Sequence, residues 1–230
     1  MEVKLDFYTP LWVASKAIRT CWDSHDKSDT CGHDDIDFFR NGSAKCTICG
    51  EEHKDGFMEA FSEAGEADKE LIDRIGNKMK HTSVKNHINY TFAISGITTK
   101  TLLALTRHDV GTEFSVQSTR YTTKKSVKAG KAGYTYSKSE RVNKYLDQIN
   151  EMITDCVNNN EANDEISLLL PQAWQYNLFA TFSLGALQHF LALRLKPDAH
   201  WDIRQLANLL LDAVPNEHKY LFKGVLKEDD

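Results

Sequence analysis

The sequence predicts an α/β (α+β) fold in one domain that carries an insertion. Three observations predict it: few segments alternate apolar and polar residues, several follow a helical period, and residues 23–66 follow neither rule. Val3, Leu5 and Phe7 alternate with Lys4 and Asp6, which makes 3–8 a first strand. Thr9 and Pro10 read as N-cap and first position of a helix to about Cys21, with Val13, Ala17 and Ile18 inward. After the Asp-, His- and Gly-rich stretch a helix resumes over 66–80. Over 87–97, Ile88, Tyr90, Phe92 and Ile94 share one face and Asn89, Thr91 and Ser95 the other, with Gly96 closing the strand. Residues 98–106 read as a helix, 115–119 as extended or irregular, and 124–138 as a basic loop with five lysines and no acid. Val142, Tyr145, Leu146, Ile149, Met152, Ile153 and Cys156 recur at helical spacing until Asn158–Asn160 ends the helix. Pro171 opens another around 175–193, and 201–214 forms the last, with Ile203, Leu206 and Leu210 inward. No internal repeat and no linker divides the chain.

With 41% hydrophobic and 27% charged side chains, 230 residues can bury a sizeable core, so the chain is neither disordered nor fibrous. A formal charge of −5 argues against a nucleic-acid partner, because phosphate-backbone affinity needs clustered Lys and Arg. No apolar run approaches the roughly 18 residues of a membrane helix, and Glu2, Lys4 and Asp6 interrupt any N-terminal signal pattern. Five cysteines, an odd number with two as CTIC, suit a reducing compartment. The expectation is a soluble, cytoplasmic protein with no membrane partner.

The chemistry-bearing stretch is RHDVGTEFSVQSTRY at 107–121. Arg107 and Arg120 offer planar, permanently charged forks suited to phosphates, carboxylates and a pyrimidine carbonyl edge. Hydroxyls and backbone N–H groups between them suit phosphate oxygens. The plainer alternative is surface ion pairing with Asp109 and Glu113. A second cluster lies in the insertion. Cys46-x-x-Cys49-Gly50 has the form of a zinc knuckle, which Cys31 and His33 would complete, with His53 as a competing fourth ligand. Four protein ligands make such a zinc structural, and a metal would supply folding energy that the few apolar residues there do not. The alternative is a loop with free thiols.

The pair RH followed by STRY resembles the signature of the flavin-dependent thymidylate synthases. AIRTCWDSHDKSD, ADKELIDRIGNKMKHTSVKNHINYTFAISGIT, LLLPQAWQYNLFATFSLGALQHFLALR and LLLDAVPNEHKYLF occur in that family's order, so the resemblance covers most of the chain outside about 30–64. It implies a single domain with a central mixed sheet and several helices. It also implies methylation of dUMP to dTMP with FAD, NADPH and methylenetetrahydrofolate by a homotetramer, without a cysteine nucleophile. Alternatives are a related one-carbon transfer, such as hydroxymethylation, to another pyrimidine deoxynucleotide, and non-catalytic nucleotide binding. By the resemblance, Ser118, Thr119, Arg120, Tyr121 and Arg194 bind substrate, and Arg120 and Arg194 are catalytic. Arg107, His108, His81, Ser83 and His87 face the cofactor, together with three positions that depart from the family pattern: Asp109, Ser183 and His189. Asn86, Ala104, Ser167 and Gly185 also depart from it.

Overall fold

The computed structural model describes residues 1–31, 36–39, 43–47, 50, 52–53, 64–130 and 133–225. Strand β1 (Glu2–Tyr8) leads into helix α1 (Leu11–Cys21), whose N-cap is Pro10 rather than Thr9. The buried face of α1 is Leu11, Ala14, Ser15, Ile18 and Arg19, so Ile18 is inward as predicted while Val13 and Ala17 are only partly buried. Arg19 turns inward because Asp68 waits there as a buried partner, at 2.7 Å from its Nε. β2 (Ile36–Phe38), β3 (Ala44–Cys46) and β4 (Glu52–His53) make a small antiparallel sheet in the stretch without sequence pattern. Strands of two or three residues are too short to show alternation.

Helix α2 (Glu66–Ile72) is capped from a distance: the Asp29 carboxylate accepts from the N–H groups of Ala67 and Asp68 at 2.7 and 3.0 Å. That carboxylate occupies the space of a side chain at residue 65, since a Cβ on Gly65 would lie 2.3 Å from Asp29 Cγ. The predicted helix to Lys80 does not continue as α. Asp73–Lys78 winds as a π-helix, followed by α3 (Thr82–Lys85). Strand β5 (Asn89–Thr98) runs through Gly96, which takes φ +72° and does not end it. α4 (Thr99–Leu105) begins at Thr98, whose hydroxyl accepts the Thr101 N–H at 3.1 Å.

β6 (Thr112–Val116) and α5 (Thr119–Lys128) follow, so the first part of the predicted basic loop is helical. α6 (Glu140–Asn158), capped by Ser139, stands as predicted and is followed by α7 (Asn163–Ser167). Where a helix was predicted over 175–193, β7 (Gln175–Ser183) precedes α8 (Leu184–Arg194). The strand follows from its period: Leu178, Ala180 and Phe182 are buried while Asn177 and Phe179 are exposed. α9 (Trp201–Ala213) buries Ile203, Leu206 and Leu210 as expected.

The larger sheet has the order β1-β5-β7-β6. Thr9 N–H meets Asn89 O while Gly96 lies by Met1, so β1 and β5 are antiparallel. Thr91 meets Thr181 while Gly96 N–H meets the Asn177 side chain, so β5 and β7 are antiparallel too. Of the three pairings in this sheet, β1–β5 and β5–β7 are thus antiparallel, where the resemblance implied a mixed sheet. The chain divides into two compact units. The first comprises residues 1–6, 91–181 and 190–213, with Phe92, Ile97, Leu105, Phe190 and Leu206 among its buried residues. The second comprises 7–90, 182–189 and 214–230, with Leu11, Ile72, Tyr90, Phe182 and Phe222 among its own.

His218 in the second unit is fully buried, its Nδ1 2.8 Å from the Tyr90 hydroxyl. Burial pushes its pKa down from 6.5 to about 3. A folded-state pKa below the unfolded one means full stability above pH 6.5 and progressive loss as pH falls toward 3. His218→Gln is therefore expected to be less acid-sensitive: the gap in urea midpoint between wild type and variant shrinks from pH 7 to pH 4. A constant gap would assign the loss to other groups.

Candidate active site

In the first unit the site is built from the end of α4. The Asp202 carboxylate, buried in the first turn of α9, accepts the hydroxyls of Thr98 and Thr101 at 2.5 Å each. This fixes the start of α4, whose far end delivers Arg107 and His108. The His108 N–H bonds Leu105 O at 2.9 Å, and its carbonyl takes the Thr112 hydroxyl where β6 begins. The imidazole stands edge-on to Phe190, with ring centres 5.0 Å apart. Its Nε2 receives Arg194 Nε at 3.2 Å and Nη2 at 3.0 Å. A guanidinium has no acceptor, so Nε2 accepts and the imidazole is neutral, with its proton on Nδ1. The pair joins residues 86 positions apart and leaves other N–H donors on Arg194 uncommitted to His108.

Arg107 and Asp109 are exposed in the turn, and Arg107 makes no ion pair among the described residues. Farther on, Ser118 is the N-cap of α5 and its carbonyl takes the N–H groups of Tyr121 and Thr122. Thr119 opens the helix, and Tyr121 is 76% exposed, available as a contact surface. Arg120 is paired, but not with Asp109 or Glu113. It grips Asp164 of α7 through Nε and Nη2 at 2.9 and 3.1 Å. Asn163 donates to Arg120 O at 2.7 Å and accepts Lys124 N–H at 3.2 Å, so α7 clamps α5. Both partners of the Arg120 pair are more than half exposed, so the pair contributes little stability and exchanges readily for another anion. Asp164 escaped sequence reasoning because nothing local couples it to residue 120.

In the second unit, His81, Ser83 and His87 are exposed on and around α3. The His81 N–H bonds Ile75 O of the π-helix at 3.1 Å. Ser183 is buried and its Oγ accepts the Ala186 N–H at 3.3 Å, capping α8, while His189 is exposed on that helix. Two residues of this unit that sequence reasoning passed over, Lys85 and Gln188, meet at 2.6 Å. In the small sheet, Cys31 Sγ lies 3.6 Å from Cys46 Sγ. Gly50 takes φ +78° and its N–H returns to Cys46 O at 2.9 Å. His33 and Cys49 lie outside the described residues, and His53 is described only as part of β4. Among the described residues no three His, Cys, Asp or Glu side chains gather as a metal site.

The family model described as thymidylate synthase complementing protein matches residues 5–218. The flavin-dependent thymidylate synthase of Campylobacter jejuni (strain RM1221) is 35% identical over 241 residues, covering 100% of this chain and 99% of its own. The chain belongs to the flavin-dependent thymidylate synthase family. That of Wolinella succinogenes is 35% identical over 236 residues, covering 96% of this chain and 97% of the other. Thymidylate synthase X from Helicobacter pylori, solved with FAD and dUMP, matches with a TM-score of 0.78 at 30% identity, covering 99% of this chain and 100% of that one. This family consists of enzymes, and its fold is the one described above. No helix among the described residues is long and apolar enough to cross a membrane.

Proposed function

We propose that this protein methylates dUMP to dTMP with FAD, methylenetetrahydrofolate and NADPH, as a cytoplasmic homotetramer. The observation that carries the reading is the Arg194–His108 pair. A neutral imidazole orients a guanidinium without cancelling its charge, as a carboxylate would. That is what a group needs if it is to stabilise negative charge building on a pyrimidine carbonyl. A donor-only fork suits uracil, which offers acceptor oxygens, over cytosine, whose amino group donates. Arg120 can exchange the exposed Asp164 carboxylate for the nucleotide phosphate, with Ser118, Thr119 and Tyr121 beside it in sequence.

Each unit by itself offers groups that suit a flavin dinucleotide: in the first, Arg107 is exposed and makes no ion pair among the described residues, and in the second, His81, Ser83, His87 and His189 are exposed hydrogen-bonding groups. Bound flavin supplies the hydride that completes the methyl group. Asp109 brings a negative charge to the turn that holds Arg107, so flavin contacts there rest on Arg107 and backbone groups. The test is absorption of the purified protein loaded with FAD, then product mass after adding dUMP, methylenetetrahydrofolate and NADPH. Flavin that bleaches with NADPH and yields dTMP supports the reading. Loaded flavin with no dTMP overturns it, and a hydroxymethyl product or turnover of dCMP would select the related one-carbon transfer.

A structural zinc in the insertion belongs to the same proposal. Two thiolates on a tetrahedral zinc, at about 2.3 Å from the ion, stand roughly 3.8 Å apart, close to the 3.6 Å between Cys31 and Cys46. Residue spacing offers Cys49 as a third ligand and His33 as the fourth, with His53 competing for that place. Metal analysis is expected to find one zinc per chain, lost in Cys46→Ser with a lower melting temperature. Metal-free protein of unchanged stability would remove zinc from the account.

A further inference from the structure

We propose that Lys85, set beside the first turn of α8 at Gly185, is the cation of a subsite for a phosphate group. Lys85 is half-buried, and among the described residues its ammonium has one partner, the neutral Gln188 Oε1 at 2.6 Å. The orientation of that amide is not a free choice. Gln188 Nε2 donates to Leu221 O at 2.7 Å and to Asn77 Oδ1 at 3.1 Å, so only its oxygen remains for Lys85. Asn77 is fixed in turn by Asp73, at 3.0 Å, and by Leu221 O. The π-helical segment and the buried side of α8 therefore hold one acceptor against one of the three ammonium protons.

No acid pairs with Lys85 among the described residues. The charge that acts on it is another cation, Lys80, and burial with that repulsion lowers its pKa. The titratable groups on the same turn are the exposed His81 and His87. A partly desolvated cation with no counter-charge is costly to keep in a resting protein. An arriving anion removes that cost, which makes the arrangement a receptor. A second donor stands beside it. A Cβ on Gly185 would sit 3.5 Å from Lys85 Cβ, so the first turn of α8 packs on the lysine stem. There the Leu184 N–H goes to Ile88 O and the Ala186 N–H to Ser183 Oγ, whereas the Gly185 N–H has no partner among the described residues. α8 is an 11-residue helix, whose N-terminal N–H groups favour negative charge.

The chemistry is that of a phosphate oxygen. The assignment to a nucleotide ligand rests on the function proposed above, where two sources qualify: the pyrophosphate of FAD and the monophosphate of dUMP. The experiment measures dissociation constants for both, by flavin fluorescence and by calorimetry, with wild type, Lys85→Gln and Lys85→Arg at pH 7 to 10. Lys85→Gln is expected to weaken one of the two by about tenfold or more, the scale of a lost charge-assisted hydrogen bond. The affected ligand identifies the source. Lys85→Arg should restore the affinity. Wild-type affinity should also fade at high pH while that of Lys85→Arg, which stays charged, does not. A structural role for Lys85 would not move that pH profile. Unchanged constants for both ligands in Lys85→Gln, or identical pH profiles in wild type and Lys85→Arg, overturn the proposal. If wild type binds neither FAD nor dUMP, the proposed function fails. Thermal shift with inorganic pyrophosphate then decides the subsite: a shift present in wild type and absent in Lys85→Gln supports it, and none in either overturns it.

Discussion

Arg194→Ala is expected to lower kcat/KM for dTMP formation by about 10²–10³-fold, the cost of removing one preorganised donor from developing negative charge. The melting temperature should hardly move, because Arg194 is only partly buried and His108, which it addresses, is a neutral ring. Arg194→Lys keeps the charge but loses the fork that addresses His108 Nε2 through two nitrogens, so it recovers little of the loss. His108→Gln is expected to fall between wild type and Arg194→Ala, since an amide oxygen can still accept. Steady-state rates for the four proteins make the comparison. Arg194→Ala within about threefold of wild type would remove this residue from transition-state stabilisation.

Asp68→Ala is expected to be the most destabilising single change, at about 3–5 kcal/mol, the scale of a broken buried ion pair. Asp68 is fully buried and receives Arg19 Nε at 2.7 Å, the Ser28 hydroxyl at 2.6 Å and the Thr30 hydroxyl at 2.5 Å. Removing the carboxylate strands a nearly buried guanidinium and two hydroxyls at once. Burial by itself would raise the carboxyl pKa, but the bonds from Ser28, Thr30 and Arg19, with the arginine charge, together bring it below 3.8. A lowered folded-state value places the contribution above pH 3.8, with loss as pH falls through the folded value. Urea unfolding at pH 7 tests the magnitude. Arg19→Met with Asp68→Leu should recover much of it, because apolar pairs of similar volume often replace buried ions without loss. A cost below about 1 kcal/mol would put the pair in the exposed class.

The elements most legible in the sequence were those whose burial follows a simple period. β5 and α6 are such elements, with one face apolar over ten or more residues. β7 was misread because Gln175–Ser183 carries Leu178, Phe179, Ala180 and Phe182 nearly in a run, directly before the apolar α8. Such a run fits a buried strand or a helix, and only the burial of alternate residues separates them. α5 was hidden for the opposite reason. Its sequence TRYTTKKSVK has almost no apolar stripe, and Thr123 is its one residue that counts as buried. Its packing against α7, anchored at Asn163 and Asp164, is tertiary information. The residue types of the site were legible, since RH and STRY are contiguous. Their partnerships were not: Arg194 with His108, Arg120 with Asp164 and Lys85 with Gln188 are each more than 40 positions apart.

The π-helical segment Asp73–Lys78 bears on how this lineage tolerates changes in length. A π-turn holds one residue more than the α-turn it interrupts. Deleting a single residue there has a structural outlet, reversion to a plain α-helix, that a deletion in α6 or α9 lacks. The cost falls within the segment, where residues of the wide turn shift by one position while those beyond it keep their facing. Asn77 would leave its place beside Gln188, and the His81 N–H would lose Ile75 O. A one-residue gap in this window thus predicts a well-folded homologue with a redrawn ligand surface, so chain length between Ile72 and His81 is an observable marker of altered binding in sequences not yet seen.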